Sequence, residues 1–234
     1  MPGIAENLKA VRAQMDTAER KSGRNPDSVH LLAVSKTWPA EAVREAYTAG
    51  QRDFGENYVQ EGVEKVVALT ELPDLVWHFI GPLQSNKTRL VAEHFHWVHS
   101  IDRLKIAQRL AEQRDAQLPP LNVCLQVNVS GEASKSGVAP EDLLALARGV
   151  VALPRLHLRG LMCIPEPSED EHLLASRFRL LVELRDQLQR ELDVPLGTLS
   201  MGMSADMAQA IAAGSTLVRV GTAIFGGRPA KPAS

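Results

Sequence analysis

The stretch Val29-His30-Leu31-Leu32-Ala33-Val34-Ser35-Lys36-Thr37-Trp38-Pro39 reads as a short apolar strand that ends on a lysine. A dinucleotide-binding sheet would place a Gly-x-Gly-x-x-Gly turn directly after such a strand. Here Ser35-Lys36-Thr37-Trp38-Pro39 stands in its place, which removes the main reason to prefer that fold. Upstream, Ile4, Leu8, Val11 and Met15 recur at helical spacing over residues 4–21, and Gly23 with Asn25-Pro26 ends the helix. Downstream, short apolar runs at 52–55, 76–80, 97–100, 121–129, 156–163, 198–201 and 217–220 join the run at 29–35. Helix-like segments at 39–49, 57–70, 86–95, 102–115, 140–151, 170–191 and 204–213 follow most of them.

Eight strands alternating with helices call for a parallel sheet. In 234 residues a closed barrel is favoured over an open one. The expected fold is α/β: a single (β/α)₈ TIM-type barrel over residues 1–228, with an extra N-terminal helix covering it. The Pro-rich tail at 229–234 is expected to be loose.

Composition narrows the functions. Net charge is −2, from 26 basic and 28 acidic residues with the signs interspersed, so no basic stripe suits nucleic acid. The N-terminus lacks an apolar signal core and no run is long enough to cross a bilayer, which points away from a membrane and toward a cytoplasmic location. Cys124 and Cys163 lie in strand-like apolar runs and read as reduced core thiols, although sequence alone leaves a disulfide open.

Barrels of this type build their sites from the C-terminal ends of strands. Lys36 ends the first, on the face of Leu32 and Val34. An ammonium at the rim of an apolar core shifts its pKa readily and forms imines with aldehydes. By position alone an ordinary strand-ending lysine is the better reading. The last strand adds weight: in Leu217-Val218-Arg219-Val220-Gly221 the valines suit the surrounding helices, which turns Arg219 inward. A buried guanidinium there requires a partner. Gly221-Thr222 opens a short segment closed by Gly226-Gly227, where backbone N–H groups suit a phosphate, and Thr222 and Ser200 add hydroxyls. Gly221-Thr222 taken alone is equally an ordinary strand-to-helix turn.

Several segments resemble the pyridoxal phosphate homeostasis protein family (YggS/PROSC type). They are Leu31-Leu32-Ala33-Val34-Ser35-Lys36-Thr37, Asp53-Phe54-Gly55-Glu56-Asn57-Tyr58-Val59-Gln60-Glu61, and the run from Trp77 through Gly81-Pro82-Leu83-Gln84-Ser85-Asn86-Lys87. Gly160-Leu161-Met162 and the block from Leu199-Ser200-Met201-Gly202-Met203-Ser204 to Arg219-Val220-Gly221-Thr222-Ala223-Ile224-Phe225-Gly226 share it, so the resemblance spans nearly the whole chain in order. It implies the barrel of the alanine racemase N-terminal domain and pyridoxal 5′-phosphate (PLP) carried as a Schiff base on Lys36. It further implies Arg219 facing the pyridine nitrogen, Asn57 beside the ring, and Ser200, Gly221 and Thr222 at the phosphate.

An arginine cannot hand a full proton to the pyridine, so the electron sink is weak. The racemases compensate with a tyrosine from an additional domain and the dimer partner. Here the chain ends seven residues past Gly227, and its tyrosines are Tyr47, in a helix, and Tyr58, at the start of one. The expectation is a monomeric, non-catalytic PLP carrier whose transient clients are apo PLP-dependent enzymes. The alternatives are a low-activity amino acid racemase or transaminase, and a phosphate-binding barrel without PLP. In the loop 130–137, Lys135 is a candidate transient acceptor of the cofactor from Lys36, against the plainer reading of a solvated lysine. The run His94-Phe95-His96-Trp97-Val98-His99 lacks zinc-ligand spacing, and Ser204 followed by Asp206 reads as an N-cap with an acid in the first turn of a helix.

Overall fold

The computed structural model describes residues 3–131 and 136–227. The tail expected at 229–234 and the reading of Lys135 fall outside the described residues. Eight parallel strands close into a barrel in chain order: β1 (His30–Val34), β2 (Asp53–Glu56), β3 (Val76–Phe79), β4 (Trp97–Ile101), β5 (Leu121–Gln126), β6 (Leu156–Met162), β7 (Thr198–Met203) and β8 (Leu217–Val220). Closure is direct, with Leu32 of β1 registered on Arg219 of β8. The expected (β/α)₈ barrel is therefore present.

The helices are α1 (Ile4–Lys21), α2 (Ala40–Thr48), α3 (Val59–Ala68), α4 (Thr88–His94), α5 (Leu104–Gln113), α6 (Leu143–Val151), α7 (Glu171–Leu192), α8 (Met207–Ala213) and the one-turn α9 (Thr222–Phe225). Local chemistry sets their ends. The Asp170 carboxylate accepts from the N–H groups of His172 and Leu173 at the start of α7, and Gly214 ends α8 at φ 119°. The N-terminal helix lies in the ring of helices. α1 packs against α8, α9 and α2 through Leu8, Val11, Met15 and Ala18, filling the position left open because β8 is followed by a single turn. Its buried Glu19 accepts from Val29 N at 2.8 Å and Ser28 Oγ at 3.0 Å, which ties the helix to the start of β1.

The main apolar core lies between barrel and helices. The apolar cluster inside the barrel is small: Leu32, Ile80 and Leu217, with Val34 against them. Interiors of this fold are usually filled by layers of branched apolar side chains. Here Asp53, His78, His99, Ser200 and Arg219 form a hydrogen-bonded series instead. Among the described residues, no helix is long and apolar enough to cross a membrane.

Cys124 and Cys163 are both buried and free, as expected of core thiols, and burial pushes each thiol up to about 12. Native protein at pH 8 is expected to leave a thiol-disulfide reagent untouched and to react with two equivalents once unfolded in guanidinium. Rapid labelling of the native state would contradict this packing.

Candidate functional site

Strand alternation sends Leu32, Val34 and Lys36 toward the barrel interior and Ser35 outward. The outward side is built to hold that strand end. Ser35 Oγ donates to Glu56 Oε1 at 2.6 Å, and Lys65 Nζ donates to Ser35 O at 2.7 Å, Glu56 Oε1 at 2.8 Å and Glu61 Oε1 at 2.7 Å. Glu61 Oε1 also accepts the Thr37 N–H at 2.5 Å. Thr37 sits at φ 68°, an unfavourable left-handed conformation for a β-branched residue, and the Glu61 contact helps hold it there. Lys36 is thus flanked by two residues pinned to α3 and the end of β2. Burial pushes the Glu56 carboxyl above its ordinary range, and the ammonium of Lys65 pulls it back.

On the inward side a cavity of about 460 Å³ opens at the C-terminal end of the strands. Lys36, Asn57, Arg219, Gly221 and Thr222 all line it, so five of the six residues expected from sequence meet there. Arg219 forms part of its floor. The side chain is 4% exposed and donates from Nη1 to Ser200 Oγ at 2.8 Å and from Nη2 to Cys163 O at 2.9 Å. Both acceptors are neutral, and no carboxylate among the described residues forms an ion pair with it. Burial lowers its pKa, with Cys163, Asp206 and Cys124 acting in the opposite direction. An arginine remains charged even so, which puts a cation at the cavity floor. The Asn57 amide oxygen is buried and has no hydrogen-bond partner among the described residues. Such an orphan is costly unless something entering the cavity completes it.

Ser200, expected at the phosphate, does not line the cavity. It is fully buried beneath Arg219, and its hydroxyl is engaged by Arg219 and, at 2.8 Å, by His99 Nδ1. The reason is the pleat of β7: Ser200 faces inward one layer below the mouth, beside Leu217 rather than Gly221. Ser204 and Ala205, just past β7, reach the rim instead. Ser204 is not a helix cap. Asp206 precedes α8, and its carboxylate accepts the Met203 N–H at 2.6 Å. Trp38, Ile80 and Ile164 complete apolar parts of the wall, and Trp38 stacks on Phe225 at 6.0 Å.

The approach of β2 to the loop after β3 positions Asn57. A Cβ added at Gly81 would collide with the Asn57 backbone carbonyl. Gly81→Ala is expected to cost about 1–3 kcal/mol in urea unfolding through this overpacking. An unaltered midpoint would show that the two loops do not approach so closely.

The histidine run serves three separate purposes. His94 Nδ1 lies 2.9 Å from Leu90 O, His96 Nδ1 accepts from Trp77 N at 2.9 Å, and His99 points into the barrel. Among the described residues no cluster of His, Cys, Asp and Glu suits a metal ion.

A parallel eight-stranded barrel with a lysine at the end of β1 and a buried arginine on β8 defines a protein of the alanine racemase N-terminal type. The family model described as alanine racemase, N-terminal domain, matches residues 7–229. A Pseudomonas aeruginosa protein named pyridoxal phosphate homeostasis protein is 62% identical over 228 residues, covering 97% of each chain. An Escherichia coli protein of the same name is 56% identical over 230 residues, covering 97% of this chain and 98% of that one. The chain therefore belongs to the pyridoxal phosphate homeostasis protein family. Among solved structures, PipY of Synechococcus elongatus, with PLP bound, superposes with a TM-score of 0.84 at 42% identity, over 95% of this chain and 100% of PipY. Alanine racemase from Corynebacterium glutamicum shares the fold (TM-score 0.68) at 14% identity, over 99% of this chain and 62% of the racemase.

Proposed function

We propose that this chain binds pyridoxal 5′-phosphate in the cavity at the C-terminal ends of the strands, carries it as a Schiff base on Lys36, and serves intracellular PLP homeostasis. The observation that carries this reading is the meeting of an amine from β1 with a buried guanidinium from β8 that forms no ion pair among the described residues, beside an amide oxygen with no partner among them. The cavity volume lies within the range of about 300–1,000 Å³ usual for small-molecule sites. In the reading, Lys36 Nζ adds to the cofactor's aldehyde carbon and a water leaves. Arg219 faces the pyridine nitrogen, Asn57 completes its amide on the ring, and Gly221 and Thr222 hold the phosphate with backbone N–H groups and a hydroxyl. Ser200 acts from beneath, on Arg219.

When bound, PLP supplies an aldehyde and an electron sink. The residues around it favour carriage over turnover. Arg219 does not surrender a proton, and among the described residues no histidine, tyrosine or carboxylate lines the cavity to serve as a second base. The reading extends to a cytoplasmic monomer whose clients are apo PLP-dependent enzymes; two buried free thiols suit a reducing compartment.

The test is titration of cofactor-free protein with PLP, followed by incubation of the loaded protein with each amino acid. Uptake of one equivalent without racemised or keto-acid product is the expected result. Turnover at about 1 per second or faster would make it an enzyme of the racemase or transaminase kind. Absence of uptake would leave a barrel for some other phosphate compound.

A further inference from the structure

Beneath the cavity the polar groups of the barrel interior are joined in single file. Ser200 Oγ contacts Arg219 Nη1 above and His99 Nδ1 below, each at 2.8 Å. His99 Nε2 lies 2.9 Å from His78 Nδ1, and His78 Nε2 lies 2.9 Å from Asp53 Oδ1. Ser200 and both imidazoles are buried, whereas the Asp53 side chain is 42% exposed. Asp53 borders a separate cavity at the opposite end of the barrel, beside Arg12, His30 and Gln51. The rings cannot turn freely, because His78 stacks on Trp97 at 5.3 Å and meets His99 edge-on at 5.1 Å.

The proton positions in this file follow from its two ends. Burial lowers the pKa of His78 and holds that of His99 well below its ordinary value, so both rings are neutral and each carries one N–H. The Asp53 carboxylate only accepts, which assigns the His78 proton to Nε2. His78 Nδ1 must then accept from His99 Nε2–H, and His99 Nδ1 must accept from the Ser200 hydroxyl. The Ser200 oxygen is left with its lone pairs toward the guanidinium. Reversing the file requires an added proton, on the Asp53 carboxylate or on the His78 ring.

We propose that Asp53, His78 and His99 are positioning residues for Arg219: they lock the Ser200 hydroxyl as an acceptor, and Ser200 with the Cys163 carbonyl fixes the guanidinium plane at the cavity floor. The remaining guanidinium N–H groups are thereby kept for the cavity. That they serve the cofactor's pyridine nitrogen rests on the function proposed above. The polar file replaces apolar filling that would be easier to bury, which accords with a role in geometry rather than stability.

Nitrogen-15 shifts of the unliganded wild-type protein test the assignment, with Nε2 protonated and Nδ1 bare expected in both rings. A protonated Nδ1 in either ring overturns it. Rotation of the Arg219 guanidinium, read by nitrogen-15 exchange without cofactor, tests the positioning. His99→Leu removes the acceptor for Ser200, and His99→Asn offers a carbonyl near the Nδ1 position. His99→Leu is expected to speed rotation and raise the PLP dissociation constant, each about tenfold, as for loss of a hydrogen bond supporting a charged group. His99→Asn is expected to stay within about threefold of wild type. Equal rotation in wild type and His99→Leu overturns the proposal. Should His99→Leu not fold, Asp53→Ala, at the exposed end, is expected to yield mixed His99 tautomers, and an unchanged tautomer overturns it. Slow Arg219 rotation in a wild type that takes up no PLP would contradict the cofactor reading and leave the relay standing.

Discussion

Lys36→Ala is expected to give a folded barrel that carries no covalently held cofactor. The substitution lies at the end of β1, beyond the residues that pair with β2 and β8, and the clamp on its neighbours uses Ser35 and Thr37 rather than the lysine side chain. Stability should therefore change by less than about 0.5–1 kcal/mol, as for a substitution outside the packed core. Loss of the covalent bond leaves PLP held only by Arg219, Asn57 and the turn at Gly221-Thr222. Retention through a desalting column should fall from nearly one equivalent to nearly none, and the absorbance of an imine should be absent. A Lys36→Ala protein that keeps an imine spectrum would move the chemistry to another amine.

Lys65→Met carries the largest expected effect on stability. The Lys65 ammonium is buried among the Ser35 carbonyl, Glu56 and Glu61, and Glu56 is fully buried. Removing one member of a buried pair strands the other charge, at about 3–5 kcal/mol. The pH dependence has a definite sign. Burial already raises the folded-state pKa of Glu56, and Lys65 opposes that rise. Without Lys65 it rises further above the unfolded value of about 4.3. A raised folded pKa means stability that is present below the unfolded value and lost as pH climbs through the folded one. Urea unfolding should accordingly show a large deficit for Lys65→Met at pH 8 and a smaller one at pH 5. A deficit independent of pH would assign the loss to packing alone. Because the same cluster holds Ser35 and Thr37, weaker PLP retention is expected alongside.

Much of the architecture can be read from local pattern. The four residues of β8 alternate cleanly, and the inward turn of Arg219 follows from the two valines beside it. Strand ends were harder where an apolar run outlasts its pairing. The run 121–129 belongs to β5 only as far as Gln126, after which Val127 bridges to Val138. β7 runs past the expected 201 to Met203, because Gly202 at φ 101° continues the strand through an irregular register with β8. The segments 86–95 and 140–151 both open on a 3₁₀ turn before their helices. At the cavity, Lys36, Gly221 and Thr222 could be expected because each stands just past a strand end and Arg219 because of alternation, whereas Asn57 was expected only through the family resemblance. Ser200 was placed one layer too high, since position near a strand end does not give depth within a barrel. The file from Asp53 to Ser200 was hidden for a different reason: its members come from β2, β3, β4 and β7, and only closure and register bring them into contact. The one advance signal is alternation, which puts Asp53 on the face of Asn57 and His78 on the face of Ile80.

The central claim is that the amine of β1 and the guanidinium of β8 receive one aldehyde-bearing ring. Borohydride reduction of the PLP-loaded wild-type protein, followed by proteolysis and mass mapping, tests it most directly. The account predicts a single reduced phosphopyridoxyl adduct, on the peptide containing Lys36. An adduct on a different lysine, or none from protein that has been saturated with PLP, would contradict it.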